Sequence, residues 1–242
     1  MPLSEANWYV NTANKEDLDV LHKNYLKKGE KMFGLNENEL AILKRLNSPV
    51  KIQDFLNKIP INFEENGDTC LSPRMVLKLN KCHCVEGALL AALALRINDI
   101  GPPLIVDLTA SRNDFDHVIA VFQRYGKWGA LSKTNHAVLR YREPVYDSIK
   151  ELVMSFFHEY MNDDGRKTLR SFSMPVDLSI FDEKKWTIDE EDIWYVPEHL
   201  ANVEHFQIID RKQIAGLKKA DEIEMKAGSL VEWQSPFAKK NL

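Results

Sequence analysis

The stretch KCHCVEGALLAALALRINDIGPP, Lys81 to Pro103, decides how the rest of the chain is read. From Gly87 to Leu95 it carries no polar residue, and it is built from Ala and Leu, the strongest helix formers. A helix apolar on every side is buried all round, and this one is too short to cross a bilayer, which needs about 20 apolar residues. Gly101-Pro102-Pro103 ends it, and Leu104 to Leu108 follows as a short buried strand. Cys82-His83-Cys84 stands at the mouth of the helix. A cysteine at a helix N-terminus meets unpaired backbone N–H groups and the positive end of the dipole. Both favour the thiolate, which is the reactive form.

Moving outward, the N-terminal side reads as helical. Lys15 to Phe33 has Leu18, Leu21, Tyr25 and Leu26 on one face. Asn36 is placed to cap a helix over Glu37 to Leu46. Ser48-Pro49 starts a third that ends near Pro60, and Ser72-Pro73 starts a fourth. On the C-terminal side the period changes. Leu104–Thr109, His117–Tyr125 and Trp128–Leu131 read as strands, with Gly126-Lys127 as a tight connection and Leu139–Arg142 as a fourth strand. Asp147–Tyr160 returns to helix, and a further helix falls over Lys212–Met225. The pattern predicts an α+β chain: a helical N-terminal region over 1–70, a core over 71–160 in which the cysteine helix packs on an antiparallel sheet, and a C-terminal helical extension over 161–242.

The 242 residues suffice for a substantial core. A net charge of −4 supplies no field for nucleic acid or an anionic membrane. The start, Met1-Pro2-Leu3-Ser4-Glu5, has neither the basic nor the apolar segment of a leader. Three cysteines, two of them one residue apart, suit free thiols in a reducing compartment. The expectation is a cytoplasmic protein without membrane or nucleic-acid partners, its oligomeric state unreadable.

His117 opens the first long strand, where an imidazole can face a cysteine at the end of a helix packed on the sheet. Such a pair takes the thiol proton and later protonates a leaving amine. The alternative is that both are structural. Cys70, Cys82, His83 and Cys84 are also of the types zinc prefers, but Cys-x-Cys has no matching second pair. The expectation is no metal and no cofactor.

The run Cys84-x-x-x-Ala88-x-x-x-Ala92-Leu93, followed by Ile100-Gly101-Pro102-Pro103 and a strand, resembles the transglutaminase-like superfamily, as do His117 at the head of the next long strand and Gly126-Lys127-Trp128 after it. The resemblance covers about Lys81 to Thr134. It implies a papain-like α+β core with Cys84 as nucleophile and His117 as base. It also exposes a departure: four residues after Trp128, where the family carries an aspartate, stands Ser132. Ser132 or Asn135 would then orient the imidazole, with Asp114 and Asp116 as further candidates. His83, Trp128, Arg140 and Arg142 are candidates to line the cleft and contact substrate, while Glu86 pairs with a backbone or basic group. His158, His199 and His205 have no recognisable partner spacing and read as structural. The implied activity is thiol-dependent acyl transfer on a peptide or amide, most simply hydrolysis through a thioester. Two alternatives stay open: an inert binding module, motivated by Ser132, and an amine transferase acting on protein glutamine.

Overall fold

The computed structural model describes residues 32–236. The helix over Lys15–Phe33 therefore falls almost wholly outside the described residues, which open with a short 3₁₀ helix, Met32–Gly34. The side chains that cap helices in the sequence do so in space. Asn36 accepts from the Glu39 backbone N–H at 2.9 Å while the Glu39 carboxylate accepts from that of Asn36 at 2.8 Å, a reciprocal cap that starts α1 (Glu37–Arg45). Ser48 and Ser72 each precede a proline in the first helical turn and accept from the backbone N–H three residues on, starting α2 (Pro49–Lys58) and α3 (Pro73–Leu79). These three helices surround α4 (Cys84–Ile97), in which every residue except Cys84 and Arg96 is buried. Arg96 escapes the apolar interior by a two-pronged pairing with Asp182, at 2.8 and 2.7 Å.

The other wall around α4 is an antiparallel sheet of seven strands. They are β1 (Leu104–Ala110), β2 (His117–Arg124), β3 (Lys127–Leu131), β4 (Arg142–Tyr146), β5 (Leu169–Ser173), β6 (Val176–Asp177) and β7 (His205–Gln207). Their order is β4-β3-β2-β1-β5-β7, with β6 beside the start of β1. Alternation along the strands supplies two cores. Ile105, Val118, Ala120, Phe122 and Leu131 pack with α4. Leu104, Val106, Ile119, Val121 and Ala130 pack on the opposite face with Leu152, Val153, Phe156 and Phe157.

Four sequence boundaries shift. The β2–β3 hairpin turns on Tyr125-Gly126 rather than Gly126-Lys127, since Arg124 pairs with Lys127. Both turn residues have positive φ, 54° and 74°, as the twist of a two-residue hairpin requires. The fourth strand is Arg142–Tyr146, not Leu139–Arg142; Pro144 is tolerated because β4 is an edge strand. The helix over Asp147–Tyr160 shrinks to α5 (Ile149–Met154). There the Ser155 hydroxyl turns back on the Leu152 carbonyl, while Arg142 takes the Ser155 carbonyl and hydroxyl oxygens. The helix over Lys212–Met225 divides into α7 (Arg211–Ala215) and α8 (Glu222–Gly228), with Gly216 closing the first and Asp221 capping the second.

The largest correction concerns the stretch from 161 onward, which is not only helical. It contributes β5, β6 and β7 to the sheet, beside the 3₁₀ helix Leu178–Lys184 and α6 (Tyr195–Asn202). Strands of two to five residues are too short to display a period of their own. Among the described residues no helix is long and apolar enough to cross a membrane.

Candidate active site

Cys84 is the first residue of α4, so its backbone N–H has no acceptor within the helix. Gly87 sits where a Cβ would lie 2.5 Å from the Lys133 Cβ, and so allows the loop after β3 to close against the helix start. That loop residue is buried as well. The Lys133 ammonium donates to the carbonyls of Leu56 (2.9 Å) and Ile59, satisfying the C-terminal end of α2.

Two imidazoles act on the Cys84 thiol: His117, from the head of β2, and His83, the residue before it. The His117 ring is buried, and its Nε2 lies 2.8 Å from the Ser132 hydroxyl. That hydroxyl donates onward to the Leu139 carbonyl at 2.5 Å. With its proton committed there, Ser132 accepts from His117, so Nε2 carries the hydrogen and Nδ1 is left for the sulfur. The serine thus fixes the tautomer, but with a neutral partner. On the other side, His83 Nε2 sits 3.0 Å from the Thr69 carbonyl and 3.4 Å from Glu86 Oε1. Glu86 is completely buried. Its oxygens accept from Thr69 Oγ1 (2.7 Å), the backbone N–H groups of His83 (2.9 Å) and Leu71 (3.0 Å), and the Asn62 amide (3.2 and 3.3 Å). A buried carboxylate held by this many donors is a fixed acceptor.

These neighbours set the thiol apart from its siblings. Burial alone would raise Cys84, but the influence of His117 and then of His83 outweighs it and holds the thiol well below its ordinary value. Burial also works against a charged His83; the bond to Cys84 and the charges of Glu86 and Cys84 prevail and raise it to about 9. Cys82, completely buried, is pushed up to about 12 by burial, and Cys70 is raised further by burial and by Glu86. Only Cys84 of the three is partly exposed. It forms one wall of a cavity of about 500 Å³ that extends over β1 and β5 beneath α6.

The sequence candidates separate cleanly. Cys84, His117, Ser132 and His83 come together, with His83 engaged by the thiol and Glu86 rather than facing substrate. Asn135 does not orient the ring: its amide nitrogen donates to the Trp233 carbonyl and its oxygen accepts the Trp233 N–H, both at 2.9 Å. Trp128 packs in the core on the far side of the sheet. Arg140 pairs with Glu232 and the His136 carbonyl, and Arg142 with Glu159, Ser155 and the face of Phe156. None of these three lines the cavity. Asp114 accepts from Thr168, whereas Asp116 does line the cavity, with one oxygen bound to the Ala110 N–H at 2.7 Å. Two cavity residues were not anticipated. Asp107 stands in the apolar run of β1, a carboxylate in a buried strand being a visible signal. His205 carries no such signal, because its partner Asp107 is 98 positions away. Among the described residues no group of three or more His, Cys, Asp and Glu side chains is placed to hold a metal ion.

Compared with known proteins, the chain matches no protein-family model and no curated protein sequence.

Proposed function

We propose that the protein is a thiol-dependent acyl-transfer enzyme, acting on an amide or peptide through a thioester on Cys84, with a core of the transglutaminase-like, papain-like kind. One observation carries this reading: a thiol at the open end of a buried helix, under the influence of two imidazoles, on the wall of a cavity. His117 and His83 hold the thiol well below its ordinary value and so favour the thiolate. The thiolate attacks the carbonyl carbon, and the Cys84 backbone N–H is the first donor for the oxyanion. His117, with Nδ1 toward the sulfur, passes a proton to the leaving amine, and water resolves the thioester. An amine in place of water gives the transferase variant.

The test is incubation with a panel of peptide and amide probes, with intact-mass detection of a Cys84 adduct and analysis of the released product. An acyl adduct on Cys84 that turns over to free acid supports the hydrolase. An adduct passed to an added primary amine supports the transferase. No adduct on Cys84 under any probe, with the protein folded, favours an inert binding module, a reading that the neutral Ser132 behind His117 keeps in contention.

A further inference from the structure

Neither His117 nor His83 is among the residues that line the cavity beside Cys84. A water molecule entering to resolve a thioester meets other groups first. The cavity that Cys84 lines is also lined by Asp107 on β1 and His205 on β7, brought together because Ser173 pairs with His205 and β1 runs beside β5. His205 Nε2 lies 3.4 Å from Asp107 Oδ2. The other ring nitrogen, Nδ1, is 2.8 Å from the Val203 carbonyl and so carries hydrogen. Contact between Nε2 and a carboxylate oxygen then requires a second proton, shared between ring and carboxyl. Thr109 Oγ1 donates to the same Asp107 oxygen at 2.9 Å, and Ser173 Oγ holds the Asp107 backbone N–H at 2.9 Å, so the carboxyl is fixed in place. The neighbouring charge is Asp116, also on the wall; α6 contributes only Pro197, Leu200 and Ala201 to the cavity. Burial, then the Asp116 charge, raises Asp107 to about 6, against the pull of Thr109 and His205, which suits a group that exchanges protons near neutral pH.

Resting on the acyl-transfer reading above, we infer that Asp107 and His205 form a second acid–base pair, dedicated to the water that resolves the thioester. Besides the Nδ1 hydrogen, the pair shares one proton, and it takes a further one from water as the water oxygen bonds to the thioester carbonyl carbon. The C–S bond breaks, Cys84 leaves as thiolate, and the carboxylic acid product departs. The extra proton on the pair then returns to solvent. The first half-reaction, served by His83 and His117, does not use this pair.

p-Nitrophenyl acetate separates the two halves, because its leaving group needs no acid. In the wild type, a burst of p-nitrophenolate precedes a slower steady state set by loss of acetyl from Cys84. In Asp107→Asn and, separately, in His205→Gln, the burst is expected to survive while the steady state slows by about tenfold or more, with acetyl-Cys84 accumulating by intact mass. Hydroxylamine, a nucleophile that needs no base, is expected to restore turnover in both variants. Since Asp107 is buried, His205→Gln, at a partly exposed position, guards against a variant that fails to fold. The inference is overturned if both variants lose acetyl at the wild-type rate, or if burst and steady state fall together without hydroxylamine rescue. A wild type that never forms acetyl-Cys84 overturns the acyl-transfer reading along with it.

Discussion

The two flanks of Cys84 are built on opposite principles. On the His83 flank a fully buried carboxylate, Glu86, stands behind the imidazole and is surrounded by donors. On the His117 flank the position behind the ring is Ser132, whose hydroxyl is itself tied to a carbonyl. A carboxylate therefore stands behind one imidazole and a neutral hydroxyl behind the other, while both imidazoles lower the thiol. Under the proposed mechanism, a thiolate needs no carboxylate behind its proton carrier if another imidazole supplies the standing positive charge. We assign His83 to holding the charge and His117 to moving the proton.

Ablating each flank breaks or sharpens this division. The largest effect is expected from His117→Ala on acyl transfer from an unactivated amide. Loss of the proton carrier should lower turnover by about 10²–10⁴-fold, while Cys84 stays the thiol most readily alkylated. Turnover of an unactivated amide within about twofold of wild type would dissolve the assignment.

Glu86→Gln should cost about 1–3 kcal/mol of stability. An amide turns one acceptor oxygen into a donor facing groups that already donate. Urea unfolding would measure it, and a cost near zero would mean that the donor cage is not stabilising. Ser132→Ala should be milder, because it removes a neutral hydrogen bond worth about 1 kcal/mol. A drop of about fivefold in turnover with an unshifted Cys84 alkylation profile is the expected result, whereas a shifted profile would show that Ser132 also bears on the thiolate.

The pair should also shape stability against pH. His83 is raised, so its contribution is complete below its unfolded value and is lost as pH climbs through about 9. Cys84 is lowered, so its contribution holds above the unfolded thiol value and is lost as pH falls through its depressed folded value. Wild-type melting temperature relative to Cys84→Ala should therefore be flattest around neutrality and decline above about pH 9. A difference independent of pH would mean that no such ion pair exists.

Much of this arrangement was legible in the chain. Ala and Leu without a polar break specify a helix buried all round, and Asn36, Ser48-Pro49 and Ser72-Pro73 announce helix starts that side-chain hydrogen bonds confirm. Cys84, His117 and Ser132 could be grouped because a helix start and the two arms of one hairpin bring them together by local geometry. What could not be read depends on distant pairing. Lys133 looked like part of a polar loop, yet its ammonium caps a helix more than seventy positions earlier. Asn135 looked able to reach the ring but is tied to Trp233 by two hydrogen bonds across 98 positions. Asp107 and His205 meet only because β5 and β7, too short to announce themselves, complete the sheet. The arginines at 140 and 142 looked free for substrate because their carboxylate partners, Glu232 and Glu159, are supplied by other elements.

The most direct test of the central assignment is the pH dependence of iodoacetamide alkylation at Cys84, mapped by peptide, in wild type and in His83→Gln. The account predicts a wild-type midpoint well below that of an ordinary thiol, about 8.5, and a clear upward shift when His83 loses its charge, while Cys70 and Cys82 stay unlabelled in the folded protein. A wild-type midpoint at the ordinary thiol value, or one unmoved by His83→Gln, would contradict it.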